Sequence, residues 1–270
     1  MPDVLVVTGT GGMGEAVARR LGSGRLVVLA DFSATQLDRV ADALRANGYA
    51  VHPVRIDVSS KGDVDALART AAELGPVRAV VHTAGVSPVQ ATARQIVDVD
   101  VLGTAYVLDA FEPYVQPGTV CVCIASMAGT MTEVPSEVLR RLASTPVDEL
   151  RALPALETGA LEPGTAYGLA KRANHVRVEA ASIAWGRRGG RVVSISPGVI
   201  ATPMGQAELD GPFGDVMRDM IEMSGTRRIG TPDDIAAVVE FLVRPEASFI
   251  TGTDILVDGG VIAAVRNPPG

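Results

Sequence analysis

The sequence predicts an α/β protein: one doubly wound parallel sheet of about seven strands with helices on both faces. Three observations carry this reading. Short β-branched runs alternate with longer helical patterns along all 270 residues. The runs are mostly apolar on both faces, as parallel strands covered on both sides should be. The first of them feeds a glycine loop that opens a helix. No linker, internal repeat or low-complexity stretch interrupts the pattern, so residues 1–270 read as a single domain.

In chain order the strands fall at residues 4–7, 26–29, 51–56, 77–81, 120–124, 191–195 and 255–257. Helical segments are expected near 14–21, 34–47, 62–74, 93–111, 165–185 and 232–242. The last has a clear start in Thr231-Pro232-Asp233-Asp234: a cap, proline at the first helical position, and acids in the first turn. One stretch, about 130–164, lacks a strand pattern. It carries two short capped helix candidates, one from Ser136 and one from Thr145, framed by prolines and glycines. This is a helical insertion after the fifth strand. It walls a substrate pocket, covers a subunit interface, or is a tolerated surface insertion.

Composition narrows the function classes. The net charge of −7 argues against nucleic acid and anionic membranes as partners. No apolar stretch reaches spanning length, and Met1-Pro2-Asp3 leads directly into a strand run, so no leader or membrane segment is expected. Cys121 and Cys123 read as buried free thiols of a reducing, cytoplasmic compartment. The three histidines lack metal-ligand spacing, so no metal is expected.

Two motifs carry chemistry. Gly9-Thr10-Gly11-Gly12-Met13-Gly14 holds a Gly-x-Gly-x-x-Gly pattern between a strand and a helix. Its backbone N–H groups and the helix N-terminus suit a dinucleotide pyrophosphate. Asp31, followed by Phe32, ends the second strand at the distance expected of a ribose-binding carboxylate. It would repel a 2′-phosphate, and no lysine or arginine lies in the loop or directly after it, so NAD is favoured over NADP. The second motif is Tyr167-Gly168-Leu169-Ala170-Lys171, which puts phenol and amine on one helix face. Lys61 and Lys171 are the only lysines among 24 basic residues. A compact ammonium beside a phenol favours phenolate, making Tyr167 a candidate general acid/base.

Further signatures follow in order: Asp57-Val58, Ala84-Gly85, Ser126-x-Ala128-Gly129, Pro197-Gly198 with Thr202, and a final strand ending Val257-Asp258-Gly259-Gly260. Together with the two motifs, this series resembles the short-chain dehydrogenase/reductase family over essentially the whole chain. The nearer likeness is to its bacterial 3α-hydroxysteroid dehydrogenase/carbonyl reductase branch. The resemblance implies a Rossmann-type fold and hydride transfer between NAD and a secondary alcohol or ketone. Residue by residue, it implies Tyr167 as proton donor and acceptor, Lys171 as its tuner and a grip on the nicotinamide ribose, and Ser126 as hydrogen-bond donor to the substrate oxygen. Asp57, Val58, Ala84 and Gly85 would line the adenosine side, and Pro197, Ile200 and Thr202 the nicotinamide. It also implies a homodimer or homotetramer.

The sequence departs from the family at Asp100, where asparagine is usual, at His82-Thr83, where two asparagines are common, and at Val193; the glycine loop is one residue short. Asp100 puts a carboxylate beside Lys171, favouring protonated lysine and weakening its pull on the phenol. Met204, Leu209, Phe213, Met217 and Met220 read either as a lid for an apolar substrate such as a hydroxysteroid or as ordinary helix packing. A 3-oxoacyl thioester reductase and a weakly active NAD-binding sensor or scaffold are the alternatives.

Overall fold

The computed structural model describes residues 1–267. Its centre is a seven-stranded parallel sheet in the order β3-β2-β1-β4-β5-β6-β7. The strands are β1 (Val4–Thr8), β2 (Leu26–Asp31), β3 (Ala50–Arg55), β4 (Val77–His82), β5 (Val120–Ile124), β6 (Arg191–Pro197) and β7 (Thr253–Val257). Every pair is parallel, which makes each connection a crossover. The order reverses between β1 and β4, and the crevice that binds ligands in such sheets opens there, beyond the carboxyl ends.

The period-2 alternation of each strand sends its apolar residues both ways. Leu5, Val7, Val27, Leu29, Val81 and Val122 face one layer, made by α1 (Gly12–Leu21), α2 (Ala34–Ala46) and, near the other end of the chain, α12 (Pro232–Val243). Val4, Val6, Val28, Val80, Cys121 and Cys123 face the opposite layer, which includes α3 (Lys61–Leu74). The two free thiols are buried on that one face, 3.8 Å apart.

The helix expected over 93–111 is not continuous. It runs as α4 (Ala93–Ile96), a π-helical turn (Val97–Gly103) and α5 (Thr104–Phe111). A π turn inserts one extra residue per turn, and such bulges cluster at functional sites. Here it surrounds Asp100. The segment after β5 forms α6 (Met127–Met131), α7 (Ser136–Ser144) and α8 (Val147–Leu150), then leads into α9 (Pro163–Arg187). Leu142, Val147, Leu150, Leu153 and Leu156 of the insertion bury against Ile96, Val97, Val101, Leu169 and Val176. The insertion therefore covers the outer faces of the π turn and α9. Buried Arg177 fixes it by donating to the Leu142 and Thr145 carbonyls (3.3 and 2.7 Å) at the carboxyl end of α7.

After β6 the chain forms two helices for which the sequence showed no strong signal, α10 (Pro203–Leu209) and α11 (Gly214–Met223), and it closes with α13 (Val261–Arg266) after β7. Leu209, Met217 and Met220 pack with Val199, Val261 and Ile262. Three of the five expected lid residues are thus engaged in docking the lid onto α13. Phe213 is two-thirds exposed. No helix among the described residues is long and apolar enough to cross a membrane.

Candidate active site

A cavity of about 630 Å³ opens at the sheet crevice, lined by Gly9, Gly11, Gly12, Met13 and Gly14 along one side. Gly9 adopts φ +83°, and a Cβ there would come within 2.6 Å of the Ala84 nitrogen. The left-handed turn and the closeness of the two loops both require glycine. The Thr83 hydroxyl lies 2.8 Å from the Gly9 carbonyl and 3.0 Å from that of Thr8, locking the β4 loop to the glycine loop. A Cβ on Gly11 would meet open space, so its backbone is accessible from the cavity at the start of α1.

Asp31 and Phe32 line the next part of the cavity. One Asp31 oxygen accepts from the backbone N–H and the hydroxyl of Thr10 (2.6 and 2.8 Å); the other accepts from the Ser33 N–H (2.8 Å). Asp31 thus holds the glycine loop in shape and still has lone pairs for a ribose hydroxyl. Arg55, which pairs with Asp31 in the β2–β3 register, stacks its guanidinium 6.0 Å from the Phe32 ring and donates to the Phe32 carbonyl. Sequence proximity could not reveal this cation, because it reaches Phe32 across the sheet. Asp57, Val58, Ala84 and Gly85 also line the cavity, Asp57 accepting from the Ser59 N–H and hydroxyl. These walls fit a dinucleotide: small loops for phosphate, a carboxylate for ribose, and Ile56, Val58 and Val99 for a flat base.

The residues expected to do chemistry, Ser126, Tyr167 and Lys171, do not line this cavity; they stand behind its wall, where a Cβ on Gly85 would lie 3.3 Å from the Lys171 ammonium. Ser126 caps α6, its hydroxyl oxygen accepting from the Ala128 N–H (3.1 Å). That bond uses a lone pair and leaves the proton to donate outward. Gly129 packs α6 on α9 so closely that a Cβ would lie 2.7 Å from the Lys171 carbonyl carbon. This contact brings the end of β5 to the first turns of α9. There the Lys171 ammonium sits 5.3 Å from the Tyr167 ring centroid. Burial pushes the Tyr167 phenol above the usual tyrosine range, Lys171 pulls it down, Asp100 and Glu208 push it up, and the Ser126 hydroxyl acts with the lysine. Burial outweighs the pull of Lys171 on the phenol.

Asp100 is fully buried. One carboxylate oxygen lies 3.6 Å from the Lys171 ammonium and accepts from the Val86 N–H (3.1 Å); the other has no partner. Burial raises the Asp100 carboxyl, with Lys171 opposing. Burial alone would lower Lys171, but Asp100 and Tyr167 more than offset it, and the amine stays above the ordinary lysine range. The Asp100 carbonyl accepts from the Thr104 hydroxyl (2.8 Å). Beneath this pair, His82 is held near 3 by burial and by Lys171, so it stays neutral, with Nδ1 2.6 Å from the Thr8 hydroxyl.

Thr202 caps α10 and lines the cavity next to Pro203 and Met204. A Cβ on Gly12 would touch its methyl at 2.9 Å, so Thr202 closes the cavity over the glycine loop. Pro197 is buried in β6, and Ile200 packs its side chain into the core, bridging to Gly230 through its backbone. Neither of the two lines the cavity.

Two family models match the chain: one described as short chain dehydrogenase over residues 3–137, the other as enoyl-(acyl carrier protein) reductase over residues 155–262. The chain is 40% identical over 263 residues to the short-chain dehydrogenase/reductase bsc3 of Alternaria brassicicola, covering 97% of this chain and 96% of the relative. The chain belongs to the short-chain dehydrogenase/reductase family. A 3-alpha-hydroxysteroid dehydrogenase/carbonyl reductase of Comamonas testosteroni is 32% identical, covering 69% of this chain and 73% of that one. A short-chain type dehydrogenase/reductase from Mycobacterium ulcerans superposes with a TM-score of 0.77 at 25% identity, covering 99% of this chain and 94% of that structure. As a member, the chain falls among oxidoreductases that act on alcohols and ketones with NAD(H) or NADP(H).

Proposed function

We propose that this short-chain dehydrogenase/reductase is a one-domain, NAD-dependent enzyme that interconverts a secondary alcohol and a ketone. The observation that carries the reading is the Lys171 ammonium 5.3 Å from the Tyr167 ring, with the Ser126 hydroxyl acting on the phenol, behind the Gly85 wall of a dinucleotide-sized cavity. Bound nicotinamide supplies or accepts the hydride. Ser126 and Tyr167 donate hydrogen bonds to the substrate oxygen as charge develops on it, and Tyr167 gives up or takes the proton. Lys171 favours the phenolate and reaches the nicotinamide ribose. Gly9, Gly11, Gly12, Met13 and Gly14 hold the pyrophosphate, Asp31 and Phe32 the adenosine ribose side, Asp57, Val58, Ala84 and Gly85 the adenine side, and Pro197, Ile200 and Thr202 the nicotinamide. Asp31 supports NAD by charge repulsion of a 2′-phosphate; Arg55, stacked on Phe32, is a cation placed to offset it.

The likeness to the Comamonas enzyme favours a hydroxysteroid among substrates. The lid adds little to that choice, since Leu209, Met217 and Met220 are packed on α13. Acidic composition and free buried thiols support a cytoplasmic protein, and the family habit a homodimer or homotetramer. The insertion covers an outer helix face and favours the dimer. The test is Tyr167→Phe assayed by NADH absorbance over a panel of alcohols and ketones. Loss of the proton donor lowers kcat about 10²–10⁴-fold while NADH still binds. A wild-type protein that binds NADH tightly but turns over nothing favours a sensor; activity on 3-oxoacyl thioesters alone favours the thioester reductase.

A further inference from the structure

His175 takes no part in the chemistry proposed for Ser126, Tyr167 and Lys171, yet it continues the helix face of the last two. It lies one turn beyond Lys171 on α9, as Lys171 lies one turn beyond Tyr167. The ring is buried, and its Nε2 sits 2.8 Å from the Ser196 hydroxyl and 3.4 Å from a carboxylate oxygen of Asp254. That same oxygen accepts from the Ser194 hydroxyl (2.7 Å). Ser194 and Ser196 lie on β6, and Asp254 lies opposite Ser194 on β7, so one ring ties three elements together. Nδ1 faces the Arg172 guanidinium at 3.4 Å, a group that only donates, so the ring proton is assigned to Nε2. Burial lowers the ring below the usual histidine range by more than Asp254 raises it, which keeps it neutral. Serine and carboxylate both meet the same nitrogen. A nucleophilic relay uses opposite nitrogens, and Ser196 is fully buried, so the cluster is no hydrolytic triad. The remaining edge of the ring, Cε1, faces α6: a Cβ on Gly129 would lie 2.9 Å from it. Gly129 is thus held between that edge and the α9 backbone, and its N–H donates to the Ser126 carbonyl (3.0 Å).

We propose that His175 is a positioning residue for the reaction: its ring is the spacer against which α6 rests, and it sets where the Ser126 hydroxyl stands relative to Tyr167. The proposal rests on the alcohol–ketone reading of the same site. Ser126 is the N-cap of α6, a helix of only five residues, so a shift at Gly129 passes directly to it. Just past the other end of α6, Thr132 packs on Gly168 of α9, where a Cβ would collide with its hydroxyl. The short helix therefore has two rests on α9, and removing one lets it pivot about the other. The contacts of Nε2 with Ser196 and Asp254 stop the ring from turning, and a locked side chain is what a precise site needs behind it. Placement matters because the Ser126 hydroxyl must meet the developing charge on the substrate oxygen at hydrogen-bond distance.

The test is a double-mutant cycle. His175→Ala lowers kcat about tenfold or more, while NADH affinity read by fluorescence stays within about twofold. In a Ser126→Ala background, His175→Ala changes kcat by no more than about twofold, because no hydroxyl is left to misplace. His175→Gln keeps a donor for Ser196 and bulk beside Gly129, and it recovers part of kcat. Should His175→Ala fail to fold, the same cycle is run with His175→Gln, whose smaller loss again vanishes without Ser126. Crystal structures of wild type and variant in one crystal form supply a readout that needs no turnover: the separation of the Ser126 and Tyr167 hydroxyls grows by about half an ångström or more in the variant. A loss of kcat that persists undiminished in Ser126→Ala, a parallel loss of NADH affinity, or an unmoved Ser126 overturns the proposal. Absence of turnover in wild type, with Ser126 displaced in the variant, counts against the oxidoreductase reading alone and upholds His175.

Discussion

Asp100→Asn isolates the charge that sets this chain apart from its family. The substitution keeps shape and keeps an acceptor for the Val86 N–H, but removes a negative charge 3.6 Å from the Lys171 ammonium. With an effective dielectric constant near 20, that attraction is worth about 4–5 kcal/mol. Most of it is offset, because the buried carboxylate no longer has to be held away from water. A residue of only about 1 kcal/mol still alters a rate about fivefold. The sign follows from the causes. Asp100 raises Lys171 and raises Tyr167. Without it, the phenol ionises more readily. Alcohol oxidation needs the phenolate, so kcat/KM rises with pH through the Tyr167 ionisation. In Asp100→Asn that limb moves to lower pH, and below the wild-type limb oxidation is several-fold faster. Ketone reduction needs the phenol, and its alkaline limb moves to lower pH as well. The assay is the pH–rate profile in both directions with saturating cofactor. Superimposable profiles would refute the reasoning by showing that Asp100 carries no charge when the enzyme works, and movement toward higher pH would refute its sign.

Other perturbations test neighbouring steps. Asp31→Ala removes the charge that opposes a 2′-phosphate and the acceptor of two Thr10 bonds; the NAD-to-NADP preference narrows by at least tenfold, and stability falls by about 1–3 kcal/mol in urea unfolding. Gly129→Ala forces α6 off α9 at the Lys171 carbonyl carbon; kcat drops tenfold or more through misplacement of Ser126, while NADH affinity measured by fluorescence changes little. His82 is depressed to about 3, below its unfolded value, so folding excludes its proton, and stability is full at neutral pH and is lost as pH falls from about 6.5 toward 3. His82→Asn therefore loses less stability than wild type between pH 7 and 5, as read by urea midpoints.

The sheet was legible because buried parallel strands must be apolar on both faces, as the five inner strands are; the edge strands β3 and β7 have no fully buried residue and were marked by β-branched residues alone. Asp31 was legible from its place at the end of β2, and Asp57, Ala84 and Thr202 through the family resemblance; all four line the one crevice on which the strand ends converge. The π turn was not legible. Residues 93–111 carry an unbroken helical pattern, while α4, the π turn around Asp100 and α5 all pack on α9, a tertiary contact that a local pattern does not carry. The lid helices α10 and α11 were read only as apolar positions, since their stripe of Leu209, Met217 and Met220 answers to α13, some 50 residues further on. Arg55 and Glu208 were invisible for a similar reason. Each acts on a partner brought near by the fold, Phe32 across two strands and Lys171 across the cleft.

The charges around Lys171 lead to a last consequence. Asp100 lies on one side of the ammonium and Glu208 acts on it from the lid, and both raise the Tyr167 phenol. Ionising Tyr167 would thus add a third negative group around one cation, in a site largely removed from water. The oxidised nicotinamide ring carries a positive charge and the reduced ring does not, so the two redox forms should meet the phenol differently. Linkage requires that if the oxidised form favours the phenolate, raising the pH favours its binding by the same factor. The dissociation constant of NAD⁺ should therefore fall relative to that of NADH as pH rises through the Tyr167 ionisation, and the ratio should be flat in Tyr167→Phe. Titrations of both cofactor forms from neutral to alkaline pH measure it directly. A pH-independent ratio in wild type would mean that the phenol and the ring do not share a field, and that Lys171 alone governs the proton.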